Sequence, residues 1–255
     1  MTVEIRKVVS ARDPRSIARD IPGISDALFP QLAPGVVLHF NRMSYGIESC
    51  EAIDESAVSN SQLQNAMLFE IAFAVGEQKI SQERIGVDWE GAIASALRRQ
   101  RNHFDAKLPT TIDENDRSIS EQVGINLYKM LSSLSSVDKI NASPIIPGFR
   151  WITSGTGDFS TENTLIEVKC TARRFGASDY RQILIYWLLS YAASVEGRGV
   201  EWSKAALVNP RINIMVVLDF EELIRTVAAG RTKVDVLELF RWLVGDYSGR
   251  LVEHL

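Results

Sequence analysis

Residues 178–194, SDYRQILIYWLLSYAAS, are apolar almost all round a helical barrel from Ile183 to Leu189. A helix without a polar stripe has no side to show to water, so the rest of the fold must enclose this one. It is too short to span a membrane: Ser190 breaks the run, and no window approaches the roughly 18 consecutive apolar residues that spanning requires. The chain has 255 residues, enough for one large domain or one core with an added lobe, and for a core that needs no covalent staples. Its composition, 45% apolar and 24% charged, is that of an ordinary globular protein. Disorder, collagen-like repeats and supercharged nucleic-acid tails are thereby excluded for its bulk. The 28 Lys and Arg against 32 Asp and Glu leave a net charge of −4, which disfavours indiscriminate nucleic-acid binding and leaves room for a local basic groove. Cys50 and Cys170 make neither a disulfide framework nor a zinc-ligand spacing, and the opening MTVEIRKVVSARDPRS lacks the apolar stretch of a secretory signal. The expected setting is the reducing cytoplasm, away from membranes.

The surrounding pattern predicts an α/β architecture. Residues 3–9 (VEIRKVV) and 35–41 (GVVLHFN) have β character, and the proline- and glycine-punctuated stretch between them predicts short helix and loop. Helices are expected over 62–77 and 88–104. The polar stretch 105–117 marks a boundary between an N-terminal α+β extension, residues 1–110, and a core, residues 111–255. Its acidic residues lack the glycine and terminal glutamate of a calcium loop. A helix over 118–134 follows, with Ser118 or Ser120 as N-cap and Glu121 in its first turn. Next come a strand over 145–153, short strands in GDFST and TLIEVKC joined by a turn at Glu162-Asn163, and the helix 178–194. Strands in AALVNP and NIMVVLDF and helices near 219–229 and 233–246 close the chain. This order predicts a mixed sheet flanked by helices.

The chemistry concentrates in GTGDFSTENTLIEVKC, residues 155–170. Alternation along TLIEVKC puts Leu165, Glu167 and Lys169 on one face and the apolar Ile166, Val168 and Cys170 on the other. Asp158 precedes Glu167 across one hairpin, so the two carboxylates can face each other and hold an oxygen-loving cation such as magnesium. A metal beside a lysine can stabilise charge on a phosphate and activate water. On the enclosed helix, Gln182 and Tyr186 are four apart and share a face. A buried amide needs partners, and the Glu167 face offers them. Other chemistries find no footing: there is no phosphate-binding G-x-x-x-x-G-K-[ST], His39, His103 and His254 have no catalytic neighbours in sequence, and Ser154 lacks a G-x-S-x-G frame. Cys170 should point into the core as a small hydrophobe.

On Asp158, on Glu167-Val168-Lys169, on the Gln182-x-x-x-Tyr186 element and on the order of elements, residues 118–220 resemble the PD-(D/E)XK nuclease superfamily, in its RecB- and Cas4-like branch. Gly157 stands where that family often has proline. The resemblance implies a restriction-endonuclease-like fold and a deoxyribonuclease dependent on Mg²⁺ or Mn²⁺, acting in restriction, anti-phage defence or repair. The catalytic residues would be Asp158, Glu167, Lys169, Gln182 and Tyr186. The metal ligands would be Asp158, Glu167 and the Val168 carbonyl, with Glu121 as a further acid. Arg173, Arg174, Arg181, Lys204 and Arg211 would form a phosphate track, which Arg98, Arg99 and Arg101 would widen, with Trp151, Tyr180 and Trp202 stacking bases. The partners would be DNA and a second copy or a larger complex. The alternative is a non-catalytic nuclease-like subunit that holds DNA or assembles a complex.

Overall fold

The structure, a computed structural model, describes residues 13–20, 22–81, 86–100 and 112–253. In chain order the helices are α1 (Pro14–Asp20), α2 (Pro22–Leu28), α3 (Pro34–Arg42), α4 (Glu55–Ser59), α5 (Asn65–Ser81), α6 (Trp89–Gln100), α7 (Glu114–Leu134), α8 (Ala177–Val195), α9 (Phe220–Val227) and α10 (Lys233–Glu253). The strands are β1 (Asn141–Ala142), β2 (Ile145–Ile146), β3 (Gly155–Thr156), β4 (Phe159–Ser160), β5 (Thr164–Val168), β6 (Lys204–Asn209) and β7 (Ile214–Asp219).

The sheet is built around β5, which is buried along its whole length. On one side it pairs antiparallel with β4, Phe159 facing Ile166 and Ser160 facing Leu165. On the other it pairs parallel with β6, which pairs antiparallel with β7. The resulting five-stranded mixed sheet runs β1-β4-β5-β6-β7. A parallel neighbour requires a crossover, and α8 is that crossover. Alternation then assigns the two faces. Leu165, Ala205, Leu207 and Val216 pack with α8 and with α1 to α3, α9 and α10. Ile166, Val168, Ala206 and Val208 pack with Leu127, Met130 and Leu131 of α7. The enclosure expected of α8 is complete: from Ile183 to Ala193 every residue is buried, Trp187 included. Each such large side chain contributes about 1.5–3 kcal/mol relative to exposure. A second, three-helix layer forms as α5 packs on α6 and α7. Gly124 allows the close α5–α7 approach, since a Cβ there would lie 2.7 Å from Val75 Cγ1 and 3.0 Å from the Gly76 nitrogen.

Several expectations change. Residues 35–41 form α3, not a strand: Pro34 opens the helix and Val37, Phe40 and Asn41 are buried at helical spacing. The other strand expected in the extension, residues 3–9, lies outside the described residues, as does most of the expected boundary at 105–117. The regular elements in the described part of residues 1–110 are helices, apart from a β-bridge of Tyr45 to Met215, and α1 to α3 contribute Ile17, Leu28 and Phe40 to the same core as α8. The helix expected from 118 starts at Glu114, capped by Asp113, whose side chain accepts the Asp116 N–H at 2.7 Å; Ser118 and Ser120 lie inside it. The strand expected over 145–153 shrinks to Ile145–Ile146, because Pro147-Gly148 ends it and Arg150 turns the chain with φ of 54°. Among the described residues no helix is long and apolar enough to cross a membrane.

Candidate functional site

Continuing the β4–β5 register by one step sets Asp158 directly opposite Glu167. The main-chain bond that would zip this end is replaced by a side chain: the Val168 N–H donates to Asp158 Oδ2 at 2.7 Å. A residue's N–H and C=O point to the same side of its strand, so the Val168 carbonyl also faces Asp158. Lys169, the next residue, is fixed by its own N–H donating to the Val208 carbonyl at 2.8 Å. The chain leaving β5 is tied down by Asn209, whose Nδ2 donates to the Thr171 carbonyl at 2.9 Å and to that of Arg173 at 3.2 Å.

From this frame a polar relay enters the apolar layer. Lys169 Nζ donates to Glu167 Oε1 at 2.7 Å and to Gln182 Oε1 at 2.8 Å. Gln182 Nε2 donates to Glu167 Oε1 at 2.7 Å and to the Tyr186 hydroxyl at 3.0 Å. The helical spacing of four aligns Gln182 and Tyr186 with the strand spacing of two between Glu167 and Lys169. Glu167 is 1% exposed, and its Oε2 is buried without a hydrogen-bond partner. Burial, then the charge of Asp158, push its carboxyl up to about 7 against the pull of Lys169. Burial, then Glu167, push the Tyr186 hydroxyl up to about 12. Cys170 is packed against the α7 side of the sheet, and burial pushes its thiol up to about 12, so a thiolate nucleophile is disfavoured.

Among the described residues no group of three His, Cys, Asp or Glu side chains converges to hold a metal. What the structure offers is smaller. Asp158, the unpartnered Glu167 Oε2 and the Val168 carbonyl are oxygen donors carried by facing or adjacent residues at one strand end. That set fits magnesium, a hard ion that binds through one or two carboxylates and keeps several waters.

The remaining expected residues are placed differently. Glu121 lies in the second turn of α7 and meets Lys79 Nζ at 3.5 Å. Arg211 is 5% exposed, bonded to Glu55 at 2.6 Å and lying 4.8 Å over the Phe69 ring, so it is a packing residue. Arg173 pairs with Asp179 at 3.1 Å and Arg181 with Asp26 at 2.7 Å. Arg174 donates to the Asn41 carbonyl and the Ser44 hydroxyl. Lys204 is exposed but sits opposite Thr164, at the far end of β5 from Val168, roughly 13 Å away at the usual strand rise. Tyr180 and Trp202 are core residues at 0% and 5% exposure, and the Trp151 indole donates to the Val244 carbonyl. Arg98 donates to Ser95 on its own helix. Arg101 lies outside the described residues.

Two groups were not anticipated. Glu70 and Glu77 flank Phe73 on α5, and Phe73 packs on Phe159 of β4 with ring centroids 5.3 Å apart. Arg99 pairs with both acids. Burial raises both carboxyls above the ordinary range, and the Asp158 charge adds to the rise, so this acidic pair borders the site. The sequence signal was two acids at helical spacing in the otherwise apolar LFEIAFAVGE. The second is Arg15 of α1, whose pKa is raised, against its own desolvation, by the field of Tyr186, Glu167 and Asp158. No local sequence signal points it there.

No protein-family model matches the sequence, and no curated protein matches it.

Proposed function

We propose that the chain is a metal-dependent deoxyribonuclease hydrolysing DNA phosphodiester bonds, and that its sheet and helices are a restriction-endonuclease-like variant of the α/β architecture. One observation carries this reading: the buried relay Lys169–Glu167–Gln182–Tyr186 stands opposite Asp158 and leaves one carboxylate oxygen of Glu167 unspent. A buried acceptor without a partner costs about 1–3 kcal/mol, a cost that a bound cation would relieve.

Asp158, Glu167 and the Val168 carbonyl would hold Mg²⁺ or Mn²⁺. When bound, such an ion supplies positive charge at the phosphate and makes water more acidic. The chain does the rest. Lys169, with two of its three N–H groups committed to Glu167 and Gln182, aims the third at a phosphoryl oxygen or the attacking water. Gln182 orients Glu167 and Lys169 together, and Tyr186, accepting from Gln182, has its own O–H left to donate. In the reaction, water adds to phosphorus, the bond from phosphorus to one sugar oxygen breaks, and that oxygen takes up a proton.

One observation favours a second reading, a non-catalytic subunit that holds DNA or assembles a complex. Arg173, Arg181 and Arg211 are already paired with acids of the chain, which thins the expected phosphate track. A cleavage assay separates the two. Wild type and Lys169→Ala are compared on supercoiled plasmid, linear duplex and single-stranded DNA with Mg²⁺, Mn²⁺ or EDTA. Cutting that requires metal and disappears in the variant supports the nuclease. Absence of cutting on every substrate, with no magnesium heat lost on Asp158→Ala in calorimetry, supports the subunit.

A further inference from the structure

We propose that the segment following α3 is a ledge that holds single-stranded nucleic acid beside this site: the exposed Tyr45 ring stacks on an unpaired base, and Arg42 and Arg174 take the flanking phosphates. The proposal rests on the nuclease reading and supplies what that reading lacks, a surface that grips the strand next to the cut.

Hydrogen bonds tie this segment to the end of the strand that carries Glu167 and Lys169. The Lys169 N–H extends the β5 pairing onto the Val208 carbonyl. Asn209, the next residue of β6, holds the Thr171 and Arg173 carbonyls through one amide nitrogen, so the chain turns just past that strand end. Arg174 and Phe175 follow, and the end of α3 receives them. The buried Asn41 donates to the Phe175 carbonyl at 2.7 Å. Arg174 donates back to the Asn41 carbonyl at 3.0 Å and to the Ser44 hydroxyl at 2.8 Å. Tyr45 then exchanges both main-chain bonds with Met215 of β7, at 2.9 and 2.8 Å. Gly46 seats the same turn, since a Cβ there would lie 2.8 Å from the Asn213 carbonyl oxygen. The backbone of residues 41–46 is thus fixed on one side by the loop leaving β5 and on the other by the edge of the sheet.

What this frame presents is aromatic and basic. Tyr45 is 47% exposed although its main chain is locked, and Met43 beside it is 44% exposed. A tyrosine offers a broad contact face at little cost in side-chain entropy. Every base has a π-face, so such a platform reads no sequence, and it needs a base that is not already paired. The charge is one-sided. In a chain of net charge −4, residues 27–47 and 168–178 contain no acid, and the two stretches meet at Asn41 carrying Arg42, Lys169, Arg173 and Arg174. Arg173, Arg181 and Arg211 are neutralised by acids. Arg174 instead spends Nη1 on two neutral acceptors, and its guanidinium remains exposed, as does Arg42. A planar fork with open N–H groups suits phosphate oxygens. This acid-free setting beside the relay favours a nucleic-acid strand over a protein partner for the exposed ring.

The test compares wild type, Tyr45→Ala, Tyr45→Phe, Arg42→Ala and Lys169→Ala as full chains. Binding of a fluorescent single-stranded oligonucleotide and of a blunt duplex is measured by anisotropy in EDTA over a range of salt, and cleavage with Mg²⁺. Tyr45→Ala should weaken single-strand binding about 10-fold, the scale of one lost base stack, with a smaller effect on duplex and an unchanged Tm. Tyr45→Phe keeps the ring and should bind as wild type. Arg42→Ala, which removes no internal hydrogen bond, should weaken binding and flatten the log–log salt slope by about 0.7, one phosphate's share on a single strand. Wild-type single-strand affinity in both Tyr45→Ala and Arg42→Ala overturns the proposal. So does a Tyr45→Ala chain that changes oligomeric state in size-exclusion chromatography with its affinity intact, which would make the ring a protein contact. If no chain cuts, the nuclease reading fails and anisotropy still decides for the ledge: weaker binding in Tyr45→Ala than in Tyr45→Phe supports it, and equal binding overturns it. A wild type that cuts duplex but binds no single strand overturns the ledge and leaves the nuclease standing.

Discussion

Asp158 substitutes a side-chain acceptor for a main-chain one: its Oδ2 takes the Val168 N–H at 2.7 Å where the β4–β5 ladder would otherwise close. One carboxylate oxygen thus serves the fold and the other is left for the site. The two duties separate by substitution. Asp158→Asn keeps an acceptor and should hold Tm near wild type while losing cleavage. Asp158→Ala orphans the Val168 N–H and should cost a further ~1–3 kcal/mol in denaturant unfolding. Equal stability of the two variants would show that the hydrogen bond carries no weight.

Glu167 gives the metal-free protein a pH signature. Its folded carboxyl, pushed up to about 7, keeps a proton that the unfolded chain releases near 4.5. The folded state therefore binds more protons in that window, and stability falls as pH rises through it. In EDTA the Tm should be higher at pH 5 than at pH 8, and Glu167→Gln should flatten the difference. Melting curves across that range check both.

Magnesium should reverse this loss at alkaline pH. A ligand at a hundredfold excess over its Kd stabilises the folded state by about 2.7 kcal/mol, which raises Tm by several degrees in a chain of this length. Wild type should show the rise, whereas Asp158→Asn and Glu167→Gln should not, independently of any cleavage.

Gln182 should matter more than its distance from a phosphate suggests. Gln182→Leu removes a donor from Glu167 and an acceptor from Lys169 inside a buried layer, for an expected cost of about 1–3 kcal/mol. Its kcat should fall with little change in KM, the mark of a positioning residue. Tyr186→Phe, which trims only the end of the relay, should cost less stability.

Arg211→Ala tests the reassignment of that residue to packing. The expected loss is about 1–2 kcal/mol, chiefly from the stacking over Phe69, because exposed Glu55 is rehydrated. DNA affinity should be unchanged once stability is allowed for.

The part of the site legible in sequence is the part carried by short periods. Spacing of two on a strand set Glu167 beside Lys169, spacing of four on a helix set Gln182 beside Tyr186, and one hairpin brought Asp158 across. Glu70 and Glu77 showed only as two acids at helical spacing, and their approach to Asp158 comes from packing of a separate helix, as the docking of α1 does, which leaves no trace in local spacing. The same limit explains the misread elements. Val36-Val37-Leu38 looks extended by propensity, but Pro34 and the burial of Phe40 make it helical. Tyr180 and Trp202 look like stacking platforms by residue type, but the core needed their volume.

The hairpin that joins the acid pair also sets an order of assembly. Asp158 and Glu167 are nine positions apart, so their contact belongs to a hairpin of the kind that closes in about 1–10 μs. Gln182 and Tyr186 arrive with the α8 crossover. Arg15 comes from more than 140 positions before Asp158 and takes its place only when α1 docks, the slowest kind of closure because it spans the most chain. A refolding chain would thus form the acid pair before α1 docks beside it.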